Sequence, residues 1–163
     1  MHLLETSRLV FRYFTMHDAE AVWHLSQEED YRRWLPDQVY ANLMEAEKAL
    51  ANLALQYNTR ELPYVLAVDK KETGELIGHV GLSRISQGVE IGYAIGQRYQ
   101  QHGYASEAVT AFSDWIKQEF ALDRIYGMVR SDNRPSQRVL EKAGFTRLAR
   151  GEVIPAGNML YVK

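Results

Sequence analysis

The sequence contains no cysteine. Disulfides, thiolate nucleophiles and zinc held by thiolates are therefore excluded. The five histidines (His2, His17, His24, His79 and His102) show no tight ligand spacing, so no metal is expected. A basic surplus is missing too: 19 Lys and Arg stand against 21 Asp and Glu, for a formal charge of -2. Nothing in that balance favours a nucleic acid or an anionic membrane surface as partner. No apolar run approaches the roughly eighteen residues of a membrane span. The opening segment carries Glu5 and Arg8 and lacks a signal-type apolar core, so a cytoplasmic location is expected. There is no internal repeat, low-complexity tract or Pro/Gly/Ser linker. One domain over residues 1–163 is the simplest organisation.

What is present suits a soluble globular chain. It is 46% hydrophobic and 25% charged, and its 163 residues can bury a sizeable core. Arg8 to Phe14 is β-rich, and Thr15-Met16-His17-Asp18 resembles a capping box opening a short helix. Asn42 to Glu45 is a second cap signal, after which Leu43, Ala46, Leu50, Leu53 and Tyr57 recur at helical spacing. Between them, Tyr31 to Asp37 reads as a loop or a broken helix. Tyr64–Asp69, Leu76–Ile85 and Val89–Ile95 read as strands joined by turn residues. A long amphipathic helix follows Gly103, and Arg124–Val129 returns to strand. Asn133-Arg134-Pro135-Ser136 opens a last helix that stops at Gly144. Phe145–Glu152 and Met159–Val162 are expected to close a central mixed sheet with helices on both faces.

Two segments carry chemistry. In the first, the strand Val89 to Ile95 leads into Gln100-Gln101-His102-Gly103-Tyr104-Ala105-Ser106, which opens the long helix. Free amides at a helix N-terminus suit a phosphate or pyrophosphate. The same residues are also consistent with a connection that merely needed a glycine. In the second, Asn133 to Phe145, the residues alone are satisfied by a well-capped helix with a glycine stop.

Together these segments resemble the GNAT superfamily of N-acetyltransferases, and within it the ribosomal-protein N-acetyltransferase (Rim-type) branch. Glu5 to Arg12 is similar to the branch's opening ETxRLxLR. Gln100 to Ala105 resembles the coenzyme-A loop pattern Q/R-x-x-G-x-G/A, and Asn133 to Phe145 resembles NxxSxxVLEKxGF. The resemblance implies an α/β GNAT fold: a central, mixed but mostly antiparallel twisted sheet of about seven strands with helices on both faces. It implies acetyl-coenzyme A as cosubstrate. Gln100, Gln101, His102, Gly103, Tyr104, Ala105 and Ser106 would hold its pyrophosphate. The backbone of Tyr93, Ala94 and Ile95 would pair with the pantetheine arm, Asn133 would hydrogen-bond that arm or the adjacent backbone, and Ser136 would lie near the thioester sulfur. Two positions depart from the pattern. Gln101 stands where many members have glycine, and Leu140 stands where many carry a tyrosine proton donor.

Three further residues have two readings each. Glu90 is a candidate base for the substrate ammonium, or a solvated strand carboxylate or ion-pair partner. Trp34 lies where the branch's acceptor-binding loop would be, and would bind the acceptor or anchor a packed lid. Glu107 is expected to complement the helix dipole rather than to act as a catalyst. The function expected is acetyl transfer from acetyl-coenzyme A to a primary amine by direct attack, with a protein N-terminus or a small molecule as acceptor. An α-amine titrates near 7.7 to 8.0 against about 10.4 for lysine, so it needs less help to become neutral. The alternative is a catalytically weak, acyl-coenzyme-A-binding sensor of the same fold. The chain is expected to be a monomer or homodimer. Gly78-His79-Val80-Gly81 as an RNA-binding GxxG loop is disfavoured by its apolar strand context, and no phosphate loop of the G-x-x-x-x-G-K-[ST] type occurs.

Overall fold

A computed structural model of the chain describes residues 2–149 and 154–163. Its strands are β1 (His2–Glu5), β2 (Leu9–Arg12), β3 (Tyr64–Lys70), β4 (Glu75–Ile85), β5 (Gly88–Ile95), β6 (Tyr126–Arg130), β7 (Thr146–Arg147) and β8 (Asn158–Val162). They form one sheet of eight strands in the order β1-β2-β3-β4-β5-β6-β8-β7. Every neighbouring pair is antiparallel except β5 and β6. The helices are α1 (Ala19–Ser26), α2 (Glu29–Trp34), α3 (Leu43–Thr59), α4 (Tyr104–Glu119) and α5 (Arg134–Lys142). The eighth strand, which the sequence pattern does not announce, is β1; its four residues are exposed or half-buried and give little apolar signal. Tyr31 to Asp37 is a broken helix: α2 ends at Trp34 and a 3₁₀ turn begins at Pro36. The strand expected over Phe145–Glu152 is confined to Thr146–Arg147, and Glu152 lies outside the described residues.

Period-two alternation divides the core between the two faces. On β3, Leu66 and Val68 pack into the large cluster with Val109, Phe112 and Ile116 of α4. Val65 and Ala67, the alternate residues, pack with Ala19, Val22, Leu50 and Leu53 of α1 and α3. The helices start where side-chain acceptors meet orphan amides. Asn42 Oδ1 accepts from Glu45 N at 3.0 Å, and Asn133 Oδ1 accepts from Ser136 N at 3.2 Å. Helix α5 ends with Phe145 N donating to Leu140 O at 3.0 Å around Gly144, whose φ is +89°. Arg12 ties β2 to the entrance of α1, bonding Asp69 at 2.6 Å and Asp18 at 2.8 Å.

The parallel pair decides where a ligand can lie. β5 and β6 are paired only at Glu90 and Tyr126, while β6 is paired along its whole length by β8. Beyond Glu90 no ladder joins β5 to β6 among the described residues. The Ile91–Ile95 half of β5 therefore opens onto a cleft that leads to the start of α4.

Candidate active site

Helix α4 begins at a turn that leaves a run of backbone amides without acceptors among the described residues. Gln101 and Gly103 both have positive φ, +64° and +81°, which turns the chain sharply into the helix. Among the described residues, none of the backbone amides from Gln101 to Ser106 has a hydrogen-bond acceptor; the first amide that does is Glu107 N, bonded to Gly103 O at 3.1 Å. Six consecutive donors at the positive end of a sixteen-residue helix favour a di-anion. The loop is held from behind. Arg8 Nη1 donates to His102 O at 2.8 Å, and its guanidinium lies 4.5 Å over the Tyr104 ring. Gln100 Nε2 bonds Asp30 at 2.8 Å and Ile95 O at 3.0 Å, so its side chain holds the loop to α2 and β5. His102 is exposed, with Nδ1 at 2.7 Å from Gln100 O. Glu107 bonds Thr6 Oγ1 at 2.5 Å and Arg8 Nε at 2.6 Å. Burial works to raise its carboxyl, but those bonds outweigh it and hold the group below its ordinary value.

The residues expected along the cofactor arm lie on β5, and the expected thiol-side residue lies across the cleft from them. Tyr93 points to the α5 side, and its hydroxyl is 2.5 Å from Ser136 Oγ and 3.3 Å from Ser136 O. Burial pushes the Tyr93 phenol up to about 12, so it stays a neutral donor near pH 7. Asn133 serves as the cap of α5. Leu140 is buried at 2% exposure, and its methyl groups fill the space above Gly127. Leu140 is thus a core residue, and the phenol that meets Ser136 comes from β5.

Glu90, Gly92 and Ala94 occupy the other face of β5. Glu90 stands opposite Ser83 and Gly92 opposite Gly81. Partial burial raises the Glu90 carboxyl above its ordinary value. On this face lies a cavity of about 420 Å³, lined by residues that include Tyr31, Tyr40, Leu53, His79, Gly81, Ser83 and Gly92. Tyr31 Oη lies 3.3 Å from His79 Nδ1. His79 keeps some surface toward the cavity yet is ringed by protein, and that desolvation pulls its imidazole down to about 4. Trp34 does not line this cavity; its ring lies 4.5 Å from the Arg33 guanidinium carbon and 5.3 Å from that of Arg130. It therefore links α2 to the end of β6.

Known proteins resemble this chain in sequence and fold. The model of the acetyltransferase (GNAT) domain matches residues 8–146. The chain belongs to the GNAT acetyltransferase family. It is 32% identical over 161 residues to the uncharacterized N-acetyltransferase YnaD of Bacillus subtilis (strain 168), covering 97% of this chain and 91% of that one. A GNAT-family acetyltransferase from Bacillus anthracis superposes with a TM-score of 0.79 at 26% identity, covering 100% of this chain and 98% of that one. The fold also matches RimL, a ribosomal L7/L12 α-N-protein acetyltransferase in complex with coenzyme A, with a TM-score of 0.78 at 18% identity, covering 97% and 94%.

Three features of this candidate site were not read from sequence. The Arg8 clamp and the Tyr93–Ser136 pair join residues 94 and 43 positions apart, and no local pattern announces them. The cavity had a signal: Gly81 and Gly92 interrupt two strands, and glycine inside a strand marks close approach or open space. Among the described residues, no group of three His, Asp or Glu is placed to hold a metal, and no helix is long and apolar enough to cross a membrane.

Proposed function

We propose that this chain transfers the acetyl group of acetyl-coenzyme A to a primary amine by direct attack, as a member of the Rim-type branch. The observation that carries the proposal is the run of six unsatisfied amides from Gln101 to Ser106 at the end of the open β5 edge. A pyrophosphate suits the amides, and an extended pantetheine arm suits the backbone of Tyr93 to Ile95 as an added strand. The coenzyme A bound in the RimL complex supports the same donor, and the α-N-protein activity of that enzyme supports an α-amine as acceptor.

The two faces of β5 divide the work. The amine approaches from the Glu90 face, and its nitrogen forms the new bond to the thioester carbonyl carbon as the carbon–sulfur bond breaks. The proton lost by nitrogen passes to Glu90, whose raised pKa makes it a better acceptor. The departing thiolate takes a proton from the Ser136–Tyr93 pair on the opposite side, and bulk water restores both groups. Leu140 has no proton to give, so this pair takes the place of the usual tyrosine.

Thiol release from acetyl-coenzyme A, followed with and without primary amines and with product mass determined, tests the reading. Amine-dependent thiol release and an acetylated amine are expected. Tight acetyl-coenzyme A binding with only slow, amine-independent hydrolysis would overturn transfer in favour of a sensor.

A further inference from the structure

The cavity on the α1–α3 face has the shape and chemistry of a selective pocket. Its volume of about 420 Å³ falls within the range of small-ligand sites. Its floor is the β4–β5 pair, where Gly92, the register partner of Gly81, leaves open space above the sheet. Leu25, Tyr31, Leu50 and Leu53 contribute apolar wall. None of the described residues that line it is a lysine, arginine, aspartate or glutamate. Its one imidazole, His79, is neutral near pH 7 because its surroundings desolvate it. Gln56 also lines it, and its buried Oε1 has no hydrogen-bond partner among the described residues. Glu90 stands two residues from Gly92 on the same strand face, so an occupant seated over Gly92 reaches toward that carboxylate.

We propose that this cavity holds the acceptor's side chain, and that the acceptor is a primary amine bearing one uncharged apolar or aromatic group of about leucine to phenylalanine size. The assignment rests on the acetyl-transfer reading and names its substrate class. Physical exclusion argues the point as strongly as attraction. A second ammonium, as in a polyamine, enters a pocket with no carboxylate among its described lining residues, and an acidic side chain enters one with no lysine or arginine there. Either charge gives up hydration in a pocket that offers it no opposite charge. An apolar side chain gains by leaving water.

Gly92 supplies the test. A Cβ built there meets nothing within 4 Å, and the residue is not among the positive-φ glycines, so a larger side chain enters the cavity without backbone strain. The kcat/KM of thiol release is measured for phenylalanine amide, leucine amide, glycine amide, spermidine and aspartyl-glutamate amide, on the wild type and Gly92→Leu. In the wild type, the phenylalanine and leucine amides exceed glycine amide by about 10- to 100-fold, and both charged amines fall below it. Gly92→Leu erases that preference, while its calorimetric Kd for acetyl-coenzyme A stays as in the wild type. A preference for spermidine or the acidic dipeptide overturns the assignment, and so does equal loss on all amines in the variant. The wild-type ranking stands even where the variant folds poorly. Binding of phenylalanine amide by calorimetry separates the two readings. Saturable binding that Gly92→Leu abolishes, without turnover of any amine, refutes transfer and keeps the pocket; absence of binding refutes the pocket.

Discussion

Replacing Ser136 by alanine isolates the thiol side of the reaction. Ser136 Oγ and Tyr93 Oη lie 2.5 Å apart, and the Tyr93 phenol has a second acceptor in Ser136 O at 3.3 Å. Removing the serine hydroxyl therefore leaves the phenol with a partner, and the stability loss should stay within about 1 kcal/mol. The kinetic loss should be larger. A developing thiolate that loses one well-placed donor should slow kcat by about 10- to 100-fold, or roughly 1.4 to 2.7 kcal/mol of transition-state stabilisation. KM for acetyl-coenzyme A should hold, because Ser136 is not among the residues whose amides are proposed to take the pyrophosphate. Tyr93→Phe should slow the enzyme by about tenfold or less, since Ser136 retains its own proton. The double variant should be no slower than Ser136→Ala alone, because two members of one relay do not add. The assay is steady-state thiol release at saturating amine, with thermal melts of all three variants as controls. An unimpaired Ser136→Ala enzyme, or strictly additive losses, would refute the relay.

Three other outcomes follow from the same geometry. Gly103 has a φ of +81° and its added Cβ would lie 3.3 Å from Arg8 Nη2, so Gly103→Val strains the turn and presses on the Arg8 clamp; acetyl-coenzyme A affinity by calorimetry should weaken about tenfold or more, and an unchanged Kd would remove the loop from the site. Because burial raises the Glu90 pKa, its basic form is lost as pH falls through a value above that of an ordinary carboxylate; the pH profile of kcat should show an acid limb there, and Glu90→Gln should lower the plateau and abolish the limb. Asp18 and Asp69 are exposed by only 8% and 7%, so Arg12→Met should cost about 3 to 5 kcal/mol at neutral pH in denaturant unfolding. Burial works to raise the Asp18 carboxyl, but bonds from Arg12 and Thr15 hold it below its ordinary value. That stability is therefore present above the unfolded aspartate pKa and is lost as pH falls through the depressed folded one, so the gap between wild type and Arg12→Met should narrow in acid.

The parts of this molecule legible in sequence are those whose cause is local. The cap of α3 at Asn42, the proline-opened α5 and its glycine stop each depend on contacts within a few residues, and the structure shows them. The turn into α4 was legible for the same reason, since Gly103 stands where positive φ is needed. Gln101 shows the limit: it adopts +64° without being glycine. Strand β1 was missed because half-buried residues carry almost no alternation. The supports of the site were missed because they are tertiary. Arg8 reaches His102 across the fold, and Tyr93 meets Ser136 because β5 and α5 bracket the same cleft. The cavity depended on knowing that Gly81 and Gly92 are register partners, which neither strand states alone.

The crystal structure of the acetyl-coenzyme A complex tests the central claim most directly. The account predicts pyrophosphate oxygens within hydrogen-bond distance of amides between Gln101 and Ser106, and pantetheine running along the Tyr93–Ile95 edge of β5. It also predicts the thioester between Glu90 and Ser136. Density for the ligand elsewhere, or an unchanged β5–β6 cleft at saturating acetyl-coenzyme A, would contradict it.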